Sequence, residues 1–142
     1  MPDLLIKLYG LPAAAAAEQR LSGAGIEIKR AIGPERRAVT QWVLEKFSSG
    51  WASEADCAFS RTPPACFVAV KNGRPAGFAC YDATAKGFLG PIGVDESERS
   101  GGIGEALLLR TLEAMREAGY GYAIVGWAGP VDFFKKTAGA TI

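Results

Sequence analysis

The stretch Val94-Asp95-Glu96-Ser97-Glu98-Arg99-Ser100-Gly101-Gly102-Ile103-Gly104-Glu105-Ala106 decides how the chain is read. An apolar strand candidate, Gly87 to Val94, runs into a short acidic loop, and glycines then open the most regular helical pattern of the sequence. That helix is expected over Ile103 to Ala118: Leu108, Leu112 and Met115 form one stripe beside Ile103 and Leu107, charges fall at Arg110, Glu113, Arg116 and Glu117, and Gly119 ends it. A glycine turn at a helix start aims free backbone N–H groups and the positive end of the helix dipole at one point, which suits a phosphate or pyrophosphate. Glycine lets a ligand approach the backbone, and Arg99 adds a charge-assisted contact. The competing reading is a flexible turn with a solvated arginine. Neither G-x-x-x-x-G-K-S/T nor G-x-G-x-x-G is present.

Working outward, two further strand candidates precede the stretch. Cys66 to Val70 and Ala76 to Asp82 flank Asn72-Gly73, the signature of a tight hairpin. Gly90-Pro91 removes a backbone donor from the third candidate, so that strand should bulge or splay there and open a cleft. Downstream come a strand, Tyr122 to Trp127, a Gly129-Pro130 turn and a short helix, Val131 to Thr137, before Gly139. Upstream, Leu4 to Tyr9, Ala13 to Leu21 and Ile26 to Ala31 read as strand, helix and strand. From Pro34, helical spacing of Val39, Trp42, Val43 and Phe47 predicts an amphipathic helix ending near Gly50. Trp51 to Pro64 lacks a clean period and reads as a loop with one irregular helical turn.

Composition narrows the function. The 142 residues carry 16 Lys+Arg against 15 Asp+Glu, a formal net charge of +1, 49% hydrophobic residues, three cysteines and no histidine. Such a chain supports one self-sufficient core, so a single domain over residues 1–142 is expected. The near-neutral balance lacks the basic field that dominates nucleic-acid binding. Without histidine, Ser-His-Asp and Cys-His pairs and imidazole metal sites are excluded. Cys57, Cys66 and Cys80 are odd in number and lack C-x-x-C spacing, which points to a reducing, cytoplasmic setting. The apolar start, Met1 to Ala17, is broken by Asp3 and Lys7, and no stretch has the length of a membrane span.

The arrangement R-x-x-G-x-G/A after a strand, here Arg99, Gly102 and Gly104 followed by Ala106 and a leucine-rich helix, resembles the GCN5-related N-acetyltransferase superfamily. The resemblance covers residues 66–140 well and Ile26 to Pro64 more loosely, leaving residues 1–31 as an N-terminal β-α-β extension. It implies an α/β fold with a twisted, mixed, mostly antiparallel sheet flanked by helices and splayed at a coenzyme site near Val94. It also implies that Ile92, Gly93 and Val94 pair through their backbones with the pantetheine arm of coenzyme A. The amides of Arg99, Ser100, Gly101, Gly102, Ile103 and Gly104 would cradle its pyrophosphate. Phe133 and Phe134 stand where a Phe-Tyr pair usually lies beside the coenzyme, with Gly139 closing the segment. Their other reading is as core aromatics of a small helix.

The implied reaction is acetyl transfer from acetyl-CoA to a primary amine of a small molecule or protein, with backbone N–H groups stabilising the oxyanion. No metal is implied: Asp95, Glu96 and Glu98 read as a solvated acidic turn. Phe134 departs from the pattern, because it cannot protonate the leaving thiolate. Tyr81, Tyr120 and Tyr122 are substitutes, and Tyr81 is singled out because its strand neighbours the splayed one. A packed tyrosine with a satisfied hydroxyl is the alternative. Glu54, in Gly50 to Asp56, is a candidate base acting through water, with Trp51 as an apolar wall. The alternative is a solvated acid on an anchored loop. Cys57 and Cys80 read as small hydrophobes rather than nucleophiles.

The end of the chain departs too. The resemblance implies two more strands after the aromatic helix, and only Thr141 and Ile142 follow Ala140. Three explanations stay open: a truncated form, an edge supplied by another chain, or occupation of that edge by Leu4 to Tyr9. An open edge beside the splayed strand would favour a homodimer. Two other functions compete with catalysis: a coenzyme-A-binding or sensing module with little turnover, and an interaction domain whose glycine turn binds nothing.

Overall fold

The computed structural model describes residues 1–142. In chain order the elements are β1 (Leu4–Lys7), α1 (Ala14–Ser22), β2 (Ile26–Arg30), α2 (Arg36–Lys46), α3 (Ser49–Ala58), β3 (Cys66–Lys71), β4 (Arg74–Tyr81), β5 (Leu89–Val94), α4 (Ile103–Glu117), β6 (Tyr122–Val125) and α5 (Val131–Ala138). Four strands form an antiparallel sheet in the order β2-β3-β4-β5, and β1 pairs antiparallel with β6. The two sheets meet at one parallel bridge, Phe88 to Ile124. This is the α/β architecture expected from the sequence. No helix is long and apolar enough to cross a membrane.

Local chemistry explains the hairpin and the bulge. Asn72 and Gly73 both adopt positive φ, 53° and 74°, the backbone of a two-residue turn whose twist matches the flanking strands. Against β4, the register of β5 slips by one residue between Ala79↔Ile92 and Tyr81↔Leu89. The extra residue falls at Gly90-Pro91, where proline has no N–H to give the ladder.

One expectation is corrected. The helix expected to run from Pro34 to Gly50 stops at Lys46, and the expected loop from Trp51 is instead the helix α3. Ser48 caps it, accepting the Trp51 amide at 3.1 Å. Gly50 lies in the first turn, where amides lack helical partners in any case. Trp51, Ala55 and Ala58 share one face at helical spacing, and both alanines are fully buried. A period carried by alanines has little hydrophobic contrast, which is why the sequence hides it.

The edge of β6 is also settled. β1 runs along it with Leu4 opposite Val125 and Lys7 opposite Tyr122. On the far side of β1, Leu5 and Thr141 exchange backbone hydrogen bonds of 2.7 and 2.9 Å. The N-terminal strand therefore occupies the place considered for it, along the edge of β6. The extension is no appendage: Leu4, Ile6, Leu8, Ala14, Ala17 and Leu21 join one buried cluster with α4 and the large sheet.

Two glycines let helices lie close on opposite faces of this sheet. A Cβ on Gly77 would stand 2.9 Å from Leu107 Cδ1, 3.1 Å from Ile103 Cγ2 and 3.1 Å from the Gly93 carbonyl, so α4 packs directly onto β4. A Cβ on Gly93 would meet the Phe47 ring at 2.7 Å and the Trp51 ring at 2.9 Å. Those rings, with Trp42 and Phe78, form an aromatic cluster with centroids 5.1–6.1 Å apart. Gly77→Ala is expected to destabilise the fold by about 1–3 kcal/mol through overpacking. Gly121→Ala, which meets nothing within 4 Å, should stay within about 0.5 kcal/mol of wild type. Thermal melts of the two variants check this; equal melting temperatures would contradict the close approach of α4.

Candidate functional site

The glycine stretch forms a cradle of backbone amides at the start of α4. Asp95 caps a single 3-10 turn, Glu96–Glu98, accepting the Ser97 amide at 3.1 Å and the Ser97 hydroxyl at 3.0 Å. The Ser97 amide first, then its hydroxyl and Lys46, hold the Asp95 carboxyl below the usual aspartate range. The chain then turns through Ser100 at φ 69° and Gly102 at φ 91° into α4. Every backbone N–H from Arg99 to Glu105 lacks a hydrogen-bond partner within the chain. All of these residues except Gly101 line one hollow of about 500 Å³ at the positive end of a 15-residue helix.

Charge at this hollow is sorted by pairing. Glu98 bonds Lys71 at 3.0 Å and Glu105 bonds Arg20 at 3.3 Å. Arg99 and Lys136, which also line the hollow, have no carboxylate partner. The acids are thus engaged by outlying cations while two cations remain available to an anion. Lys136 and Thr137 of α5 and Pro12 ahead of α1 were not singled out from the sequence. The signal for Lys136 was the basic last turn of α5.

The phase of the β4/β5 ladder determines which backbone groups of β5 are available. Asp95 N–H donates to the Ala76 carbonyl at 2.8 Å, so Asp95 and, two residues back, Gly93 direct their polar groups at β4. Ile92 and Val94 direct theirs away from β4, at the open edge. The Val94 carbonyl accordingly accepts from Arg99 Nε, at 3.4 Å. Of the three residues expected to pair with a coenzyme arm, Ile92 and Val94 face the opening. Gly93 faces its neighbour strand and makes room for Phe47 and Trp51.

Between β5 and β6 lies a cavity of about 720 Å³ lined by Trp51, Glu54, Thr84, Phe88, Ile92 and Phe134, among others. The Ile124 amide donates to the Gly87 carbonyl at 2.9 Å, and beyond that bridge the strands diverge. Trp51 and Glu54 reach the cavity from one face of α3, three residues apart. Glu54 is half-buried and accepts a hydrogen bond from the Thr84 hydroxyl. Phe133 and Phe134 diverge, with Phe133 at the cradle and Phe134 at the cavity.

Tyr81 lies elsewhere. Its ring stacks on Phe67, and its hydroxyl accepts from Arg30 at 2.8 Å. Tyr120 donates to Asp82 at 2.9 Å, and burial and that bond push its hydroxyl pKa up. Tyr122 bonds Tyr9 on the surface. No tyrosine lines the cavity or the cradle. Cys66 and Cys80 stand opposite each other on β3 and β4, fully buried. The hydrogen bond that the Cys80 thiol donates to Cys66, together with burial, pushes that thiol well up, away from thiolate chemistry. Cys57 is exposed on α3 and lines neither space.

Solved structures share this fold. The N-acetyltransferase region of a fungal multi-domain GH3 β-N-acetylglucosaminidase superposes with a TM-score of 0.77 at 17% identity, over 96% of this chain and 19% of that one. A GCN5-related N-acetyltransferase from Sphaerobacter thermophilus gives 0.71 at 22% identity, over 98% and 47%. The chain therefore spans about half or less of the length of these two relatives. A GNAT family acetyltransferase from Brucella melitensis, solved in complex with acetyl-CoA, gives 0.60 at 21% identity, over 77% and 80%. No curated protein sequence matches the chain. The sequence model of the Acetyltransferase (GNAT) family matches residues 35–138, more than half of the chain and all of β3 to α5. With its strand fork and glycine cradle inside those matched residues, this chain belongs to the GNAT acetyltransferase family.

Proposed function

We propose that the chain transfers the acetyl group of acetyl-CoA to a primary amine of a small molecule or protein. The observation that carries this reading is the run of partnerless amides from Arg99 to Glu105, continuous with the open edge of β5 and the cavity beyond it. Arg99, Lys136 and the amides suit a pyrophosphate, and the outward groups of Ile92 and Val94 suit the amides of a pantetheine arm. The acetyl-CoA complex of the Brucella melitensis relative supports the same co-substrate.

In the cavity the amine lone pair attacks the thioester carbonyl carbon, forming the C–N bond while the carbonyl oxygen takes the electron pair. The Ile92 N–H is the backbone donor offered to that oxyanion. Collapse restores the carbonyl and breaks the C–S bond, so the pair leaves on sulfur. Glu54 takes the ammonium proton, directly or through one water, and solvent protonates the thiolate. Alignment of amine and thioester in one cavity supplies much of the acceleration. The second reading, a coenzyme-A-binding module with little turnover, draws on one observation: no tyrosine lines the cavity to protonate the thiolate.

Calorimetry with acetyl-CoA should give micromolar affinity, about −8 kcal/mol, with ATP and NAD far weaker. Gly102→Asp adds bulk and negative charge at φ 91° inside the cradle and should lower acetyl-CoA affinity by roughly 100-fold, about two steps of 1.4 kcal/mol. A folded Gly102→Asp chain that binds as wild type contradicts the assignment. Glu54→Gln should cut kcat by about 10²-fold or more while leaving the acetyl-CoA KM near wild type. Tyr81→Phe, by contrast, removes the Arg30 bond and should cost about 1 kcal/mol of stability with kcat unchanged. Stopped turnover in Tyr81→Phe, or full turnover in Glu54→Gln, reverses these roles. Tight acetyl-CoA binding without acetylation of any amine favours the second reading.

A further inference from the structure

The charged side chains at the cavity are all acidic. Glu54 and Asp3 are the only ionisable side chains that line it, with no lysine or arginine, and Met1, which carries the chain's α-amino group, lines it too. Neither carboxylate is ion-paired within the chain. Much of the remaining wall is aromatic, from Trp51, Phe88, Trp127 and Phe134.

Asp3 comes from the segment ahead of β1, outside the residues that match the family. Two bonds tie that segment to the end of β6: the Trp127 amide donates to Asp3 Oδ1 and the Ala128 amide to the Pro2 carbonyl, both at 2.9 Å. They hold Trp127 at φ 51°, which stops β6 and sets a 78% exposed indole at the cavity. The N-terminal segment thus contributes a carboxylate and fixes an aromatic wall.

A protonated amine entering this cavity gains from two carboxylates within low-dielectric walls and from aromatic faces. A carboxylate on the same acceptor would meet two like charges against the single α-amino group of Met1, while losing its water. We infer that the acceptor is a primary amine on an apolar, aryl-sized body without an acidic group, and that Asp3 is a specificity-determining residue. The inference rests on the acetyl-transfer reading for the cavity's identity, but its selectivity is a binding property measurable without turnover.

The test compares 2-phenylethylamine, L-phenylalaninamide and L-phenylalanine by calorimetry on the full chain in the presence of CoA, and by initial rates with acetyl-CoA. The amide matches the bulk of phenylalanine without its charge. Both neutral-bodied amines should outrank phenylalanine by roughly 10- to 100-fold, the scale of a like-charge contact in a recognition site. Asp3→Asn keeps an acceptor for Trp127 and should narrow that ratio about 3-fold, as loss of one partly screened charge does; Asp3→Lys should narrow it further. Phenylalanine binding as well as its amide, or a ratio unmoved by either Asp3 variant, overturns the inference. Glucosamine or spermidine binding more tightly than 2-phenylethylamine overturns the apolar body while leaving acetyl transfer standing. The expected binding selectivity without acetylated product overturns the transfer reading alone.

Discussion

The parting of β5 from β6 is the constraint around which the rest of the fold is arranged. The parallel bridge between Phe88 and Ile124, in which the Ile124 amide donates to the Gly87 carbonyl, holds the two strands at the fork. Beyond it, Gly90-Pro91 shifts the β5 register and the strands diverge. Backbone groups left unpaired beside an apolar cavity are costly unless water or a ligand satisfies them. The fork therefore needs firm support on both sides, and it has it: α4 lies on β4 through Gly77, and the aromatic cluster of α2 and α3 lies on β5 through Gly93. A side chain on Gly77 would push α4 away from β4, and one on Gly93 would push the aromatic cluster away from β5, the strand that bears the opening.

The cradle follows from the same geometry. Because the Asp95 amide bonds Ala76, the chain leaves β5 in the phase that turns Ile92 and Val94 outward and sends residues 96–98 into a capped turn. The left-handed Ser100 and Gly102 then present successive amides to one hollow. The flanking ion pairs are largely surface pairs, individually worth about 0–1 kcal/mol. Their consequence is electrostatic rather than stabilising, since Lys71 and Arg20 engage Glu98 and Glu105 and leave Arg99 and Lys136 unpaired.

Much of this was legible in the sequence because strong local signals carried it. The Asn72-Gly73 turn, the leucine stripe of α4, the Gly90-Pro91 interruption and the glycine turn each specify backbone geometry through one or two residues. The helix α3 was not legible, because its buried face is written in Ala55 and Ala58, residues without hydrophobic contrast. For Tyr81 the sequence leaves two readings open, and its ring on Phe67 and its hydroxyl on Arg30 fit the packed one, because side-chain direction depends on a register that local sequence does not specify. Asp3 and Lys136 escaped notice for a different reason. Their relation to the site is made by β1 pairing with β6 and by α5 folding back, contacts between residues more than a hundred or about thirty positions apart.

We propose that the amides from Arg99 to Glu105 form the phosphate cradle of acetyl-CoA. Amide hydrogen exchange resolved over residues 94–106, with and without saturating acetyl-CoA, addresses it most directly. Those amides have no partner within the chain and should exchange rapidly alone, then slow markedly on binding, with little change in the β3–β4 hairpin turn at Asn72-Gly73. Binding of acetyl-CoA that leaves residues 99–105 exchanging at the same rate would contradict the account.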